Sequence, residues 1–402
     1  MKKTLMVAAL SGVFATAAHA QSSVTLYGLI DAGITYTNNV KNSATGAHGA
    51  NWQQTSGAIN GSRWGLRGAE DLGGGLKAIF VLENGFSINS GALGNGSRLF
   101  GRQAFVGLSS NQFGSVTAGR QYDSVVDYVA PLALTGTQYG GTYTAHPFDN
   151  DNLNNTFRVN NSVKFQSTDY AGFKFGGMYG FSNTAGQFAN NRAYSLGASY
   201  TYGPLNVAAA YLQLNNSLSG TTPAAALASL NSNGAISGDA TLLAHRQQTW
   251  GAGANYSFGP ATAGFVYTQT NLTQGFGINP STAGGQSIGF GGNSVHFQNF
   301  ELNGRYALTP AVTLASAYTY TQANFGTGSE PKWGQLNLLA SYALSKRTDV
   351  YLQGEYQHVM NGEGLNGTTI NAMINNTSNG SSAGASSTSN QVAVTAGLRH
   401  RF

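Results

Sequence analysis

Read back from its C-terminus, the chain alternates with a period of two. Val392, Val394, Ala396, Leu398, His400 and Phe402 share one parity, and Gln391, Ala393, Thr395, Gly397, Arg399 and Arg401 the other. Successive side chains of a strand point to opposite faces, so one face here is mostly apolar and the other polar or small. The division recurs at 295–308, where Phe300, Leu302, Tyr306 and Leu308 oppose Asn299, Glu301, Asn303 and Arg305, and again at 192–202 and 333–344. Beyond the first twenty residues no run approaches the ~20 apolar residues of a membrane helix. A helical membrane protein is excluded. Tyr (20) and Phe (21) are too plentiful for a disordered chain.

Sixteen segments carry the pattern. They fall at 24–37, 62–70, 76–86, 98–109, 114–121, 158–167, 172–182 and 192–202, then at 205–215, 246–258, 261–271, 295–308, 311–322, 333–344, 348–360 and 390–402. Links between them are alternately short and long. Tyr202-Gly203-Pro204, Phe258-Gly259-Pro260 and Leu308-Thr309-Pro310 favour tight reversals. The long links are expected at 38–61, 122–157, 216–245, 272–294 and 361–389, all rich in Asn, Gly, Ser, Thr and Ala.

A soluble β-sandwich also alternates. Against it, strands of about 10–14 residues exceed the usual ~5–6. One rim is consistently short-turned, and Tyr and Phe recur near the ends of the apolar face, as a lipid-boundary girdle requires. An open edge in hydrocarbon would leave N–H and C=O groups unpaired at several kcal/mol each, so the sheet must close. The expected fold is all-β: a 16-stranded antiparallel transmembrane β-barrel with short periplasmic turns and long outer loops.

The N-terminus reads separately. Met1-Lys2-Lys3, an apolar stretch from Leu5 to Ala18 and the small-x-small Ala18-His19-Ala20 are expected to form a signal peptide over 1–20, leaving a barrel domain over 21–402. Without Lys2 and Lys3 the basic residues fall from 20 to 18 against 15 acids, a net +3.

The first 125 residues carry the most specific signatures. Ser23-Val24-Thr25-Leu26-Tyr27-Gly28-Leu29-Ile30-Asp31-Ala32-Gly33 resembles the opening strand of general diffusion porins of β-proteobacteria. Ser62-Arg63-Trp64-Gly65-Leu66-Arg67-Gly68-Ala69-Glu70-Asp71-Leu72-Gly73 is similar to their second hairpin. Arg102-Gln103-Ala104-Phe105-Val106-Gly107-Leu108, the stretch Phe113 to Gln121 and the terminal Phe402 match the same pattern. The resemblance spans the chain. It implies a homotrimer in the outer membrane of a Gram-negative cell, contacting lipid and lipopolysaccharide, with an inward-folded third loop and passive diffusion of small hydrophilic solutes and ions.

Such a pore needs a constriction and a field rather than a nucleophile. Parity places Arg63 and Arg67 on one face, and resemblance adds Arg102 and Arg120 as a basic ladder. An unpaired guanidinium facing lipid at mid-membrane would cost about 2–4 kcal/mol, which turns Arg63 and Arg102 inward. The 122–157 link is the expected constriction loop. Its uncharged stretch Thr135 to Ala145 leaves Asp123 and Asp127, near Arg120 in sequence, as the expected acidic partners. Asp149 and Asp151 are expected to be solvated loop residues. Phe402 is the expected assembly signal.

The ladder predicts a weak anion preference. A substrate-selective sugar channel would need an aromatic track, yet most Tyr and Phe fall on the lipid-facing parity. An adhesin-type plugged barrel is the other alternative. Neither a metal site, a cofactor, a nucleic-acid patch nor a catalytic set is expected: there is no Cys, and the seven His are scattered.

Overall fold

A computed structural model describes residues 23–42, 45, 47–281, 286–326, 328–374 and 384–402; the expected leader lies outside the described residues. The strands are β1 (Ser23–Lys41), β2 (His48–Ser56), β3 (Arg63–Gly73), β4 (Leu76–Gly85), β5 (Gln103–Ser110), β6 (Gly114–Gln121), β7 (Val159–Gln166) and β8 (Phe173–Gly180). They continue as β9 (Arg192–Tyr202), β10 (Leu205–Asn215), β11 (Leu242–Phe258), β12 (Ala261–Ile278), β13 (Val295–Ala307), β14 (Val312–Asn324), β15 (Lys332–Ala343), β16 (Thr348–Met360) and β17 (Asn390–Arg401). All belong to one antiparallel sheet, and β17 returns to β1 with Leu29 opposite Arg401 and Thr37 opposite Ala393. The barrel is closed.

β2 and β3 do not pair with each other. Both lie along β1: Ser23–Leu29 pairs with Arg63–Ala69, and Ala32–Lys41 with His48–Ser56. They are two halves of one stave, parted by 57–62, so the barrel has the sixteen staves expected. The segment 38–61 is therefore not simply a loop. Asn, Gln and Gly dilute the alternation over His48–Ser56, which hid β2 from the pattern. β11 and β12 likewise reach Leu242 and Ile278, beyond their expected ends, and take up part of two long links.

The faces divide as the parity requires. Leu196, Leu302, Leu338 and Leu352 are more than half exposed on the outside, whereas Glu301, Gln335, Gln353 and Glu355 are buried on the inner parity. Tight turns such as Gly203-Pro204 sit on the rim that holds both ends of the described chain. The long links occupy the other rim.

The inner face is covered because the 122–158 segment folds into the lumen. Val125, Tyr128, Val129 and Leu132 pack against Ala208, Ala210, Leu212 and Val266 of the wall. Small alanines at these inward positions of β10 leave room for the loop, and each fully buried Val or Leu contributes about 1.5–3 kcal/mol to holding it inside.

Candidate functional site

Between this third loop and the wall lies an opening of about 350 Å³. Its charged lining is Arg63 of β3, Glu83 of β4, Arg102 just before β5 and Arg158 just before β7. The loop side presents the neutral Thr135, Gly136, Gly141 and Thr142, with Asn154 and Asn155 beside them.

Arg102 is the best-anchored guanidinium. Its Nε donates to Glu83 Oε1 at 2.7 Å and its Nη2 to the Tyr122 hydroxyl at 2.9 Å. Tyr27 donates to the other Glu83 oxygen at 3.0 Å. One carboxylate is thus shared by Arg102 and two phenols. Arg63 has no ion pair among the described residues, and its Nη1 points to the Gly61 carbonyl at 3.4 Å.

Arg158 belongs to the same opening and was missed in the sequence. It lies at the loop's return, where no strand periodicity marks a face. Nη1 donates to Thr156 O at 3.1 Å, Nη2 bonds Asn155, and the guanidinium stands over the Tyr122 ring at 5.6 Å. Its Nε has no partner among the described residues. Burial pulls its pKa down to about 10, and Arg102 and Arg120 add to this against the Tyr122 hydroxyl. It stays charged at neutral pH. Three guanidiniums less the one Glu83 carboxylate leave a net +2 around the opening.

The other expected residues are placed elsewhere. Arg67 is exposed further along β3, over the Tyr27 ring at 5.4 Å, outside the opening. Arg120 is spent on Asp239, with Nη2 and Oδ2 2.5 Å apart, and on Gly101 O at 2.8 Å. Asp123 is fully buried and accepts from Val125 N at 2.7 Å and Asn152 Nδ2 at 2.7 Å, so it caps the loop's first turn. Asp127 pairs with Lys164 at 2.6 Å and borders a separate space with Tyr128, Leu132 and Arg305. Nearness in sequence to Arg120 did not bring either acid to the arginines. The expected acid-against-arginine arrangement across the opening is replaced by a neutral loop against a basic wall.

Asp149 and Asp151 are not solvated, as expected, but buried. Asp149 accepts from the backbone of Asn154 and Thr156 at 2.9 and 3.0 Å. Asp151 holds His146 Nδ1 at 2.6 Å, while His146 Nε2 meets Glu301 of β13 at 3.1 Å. Burial alone would lower the His146 pKa, but Asp151 and Glu301 push it up to about 10. A charged imidazolium between two carboxylates thus bolts the loop to the wall. Further along, Gln335 and Gln353 donate to the carbonyls of Ala145 and Gly140 at 3.1 and 2.9 Å.

The loop tip rests on the 57–62 segment. Asp31 Oδ2 accepts from Ile59 N at 3.1 Å and Asn60 N at 2.7 Å, folding that segment into the lumen. Gly141 sits against it at φ +74, and a Cβ there would fall 1.5 Å from the Ile59 carbonyl oxygen. Phe402 closes the barrel: its N–H donates to Gly28 O and Gly28 N–H to Phe402 O, both at 3.0 Å. A Cβ on Gly28 would lie 2.3 Å from the Phe402 ring.

A closed sixteen-stave barrel with an apolar exterior and a lumen narrowed by its own loop is the architecture of an outer-membrane diffusion channel. The model of the Gram-negative porin family matches residues 5–364, and the chain belongs to that family. It is 35% identical to an outer membrane porin protein of Bordetella pertussis over 89% of this chain and 94% of that one. It is 30% identical to outer membrane porin protein 32 of Delftia acidovorans over the whole of both. Among solved structures, the anion-selective porin from Comamonas acidovorans superposes with a TM-score of 0.70 at 24% identity, covering 95% of this chain and all of that one. The protein is an outer-membrane porin, a water-filled path for passive diffusion of small hydrophilic solutes.

Proposed function

We propose that the opening ringed by Arg63, Arg102 and Arg158 is the constriction of this porin, and that it favours anions over cations modestly. The observation that carries this reading is the charge count: three guanidiniums, one carboxylate and a neutral loop opposite. Arg67 extends the positive wall, while Arg120 pairs with Asp239, a carboxylate that also holds Arg98. The description of the Comamonas acidovorans structure as anion-selective agrees with this sign. The test is the reversal potential of purified protein in a KCl gradient, where a preference for chloride is expected and a preference for potassium would defeat the reading.

The working unit we propose is a homotrimer of the mature 21–402 chain. Outward Val24, Leu26, Val106, Leu108 and Val116 are exposed on β1, β5 and β6, a smooth aliphatic face that suits contact with another barrel. Unboiled protein should then migrate near three times the monomer mass, and a monomer by light scattering in mild detergent would count against it. Phe402 is proposed as the signal read during assembly. This reading assigns the protein no catalytic chemistry, cofactor or metal.

A further inference from the structure

A second space, of about 260 Å³, lies inside the barrel between the third loop and the short-turn rim. Its wall is one transverse row of the sheet. Thr201, Asn206, Asn255, Gly264 and Asn303 are direct partners in turn from β9 to β13. Direct partners share a face, and Asn206 and Asn303 have the inward parity of Ala208 and Glu301. Gly264 lets the row close up. A Cβ there would fall 2.0 Å from the Asn255 amide and 2.7 Å from Asn303 Oδ1, so the two amides lean together over the glycine. Both turn a nitrogen to the Leu132 carbonyl of the loop, at 3.2 Å for Asn255 and 2.9 Å for Asn303. The loop side is largely apolar, with Pro131, Leu132, Leu134 and the Tyr139 ring.

Polar capacity in this space is left over. Asn206 accepts from Thr201 Oγ1 at 2.8 Å, but its amide nitrogen donates to nothing among the described residues. Asn303 donates to Leu132 O at 2.9 Å and to Glu301 Oε1 at 2.7 Å, while its oxygen accepts nothing among them. Arg305 stands two residues further on, on the same face, and is exposed to the lumen. Its Nε donates to Thr262 Oγ1 at 3.2 Å. It forms no ion pair among the described residues. Asp127, at the border of the space, is spent on Lys164 at 2.6 Å. A guanidinium, an amide donor and an amide acceptor therefore face one apolar surface.

We propose that this niche binds a sugar acid, a monosaccharide that carries a carboxylate. Arg305 takes the carboxylate through the two parallel N–H groups that match it in charge and geometry. Asn206 donates to one ring hydroxyl and Asn303 Oδ1 accepts from another, while Tyr139 and Pro131 cover the C–H side of the ring. A simple inorganic anion would use Arg305 alone and leave the amide row without a role. The size agrees: drug-sized ligands occupy pockets of roughly 300–1,000 Å³, so a slightly smaller space suits one monosaccharide. The inference rests on the anion-favouring constriction proposed above, which admits the carboxylate to the niche.

The test titrates the full mature protein in mild detergent with D-glucuronate, D-glucose and acetate at constant ionic strength, binding being read by saturation-transfer NMR. Glucose lacks the carboxylate and acetate lacks the hydroxyls. Glucuronate should bind about tenfold tighter than either. Arg305→Gln should weaken glucuronate about tenfold, to the level of glucose, and Asn206→Ala should weaken it about threefold. Arg63→Ser with Arg102→Ser, at the constriction, should leave glucuronate affinity where it was. Equal binding of acetate overturns the sugar assignment and equal binding of glucose overturns the role of Arg305, both on wild type without any variant. Binding lost in the constriction variant and kept in Arg305→Gln moves the site to the opening and overturns the niche. The two readings fail separately. Potassium preference in the KCl gradient with glucuronate still bound defeats only the sign of the constriction, whereas chloride preference without glucuronate binding defeats only the niche.

Discussion

Replacing Arg158 by Gln isolates the charge at the opening from its shape. Gln keeps a donor for the Thr156 carbonyl, so the loop's return should hold its path. The opening of about 350 Å³ equals a sphere of roughly 4 Å radius, which sets an ion at its middle ~6 Å from a lining guanidinium; in water one unit charge there contributes about 0.7 kcal/mol. Screening over ~10 Å at 0.1 M salt lowers this to about 0.4 kcal/mol. Losing the charge weakens an anion and relieves a cation by equal amounts, a differential of about 0.8 kcal/mol. That is roughly fourfold in the chloride-to-potassium ratio. At 1 M salt the screening length is ~3 Å, and the same change should fall to about 1.4-fold. Planar-bilayer reversal potentials at both salts provide the assay. A normal conductance with an unshifted potential at 0.1 M would refute the electrostatic account, and so would a shift that did not fade with salt.

Replacing Arg63 and Arg102 together by Ser takes the local charge from +2 to zero. It should widen the pore and cost about fifteenfold in anion preference by the same arithmetic, two charges at about fourfold each, read as higher conductance and a reversal potential moved towards cations. Gly141→Ala should dislodge the loop tip, because the Cβ would collide with the Ile59 carbonyl in a left-handed conformation; larger, noisier current steps are expected, and quiet wild-type steps would contradict the seating. His146 is held up to about 10, so its contribution is complete below its ordinary value near ~6.5 and is lost as pH rises towards 10. Loop-derived current noise should therefore grow above about pH 9 in wild type, and His146→Gln should be noisy already at neutral pH with no such step. Deleting Phe402 removes the pair of hydrogen bonds to Gly28; heat-resistant oligomer on unboiled gels should fall sharply, and undiminished oligomer would count against its role in closure.

Alternation is a local property, and it carried what local information can. Because strand side chains change face at every residue, the sequence assigned Leu302 to lipid and Glu301 to the lumen without any tertiary knowledge. The cost of unpaired backbone in hydrocarbon forced closure, and the cost of a guanidinium in lipid turned Arg63 and Arg102 inward. Parity fails where the chain leaves the ladder. Arg158 sits at the end of a loop, so nothing in its neighbourhood revealed that it would join Arg63 and Arg102. Asp123 and Asp127 stand three and seven positions after Arg120, yet the first is consumed by capping the loop's turn and the second by Lys164. His146 and Glu301 are 155 residues apart, and their contact exists only because the loop crosses the lumen to β13. Which charges face the water is thus a tertiary decision: each buried carboxylate must find donors, and the folded loop, not sequence spacing, supplies them.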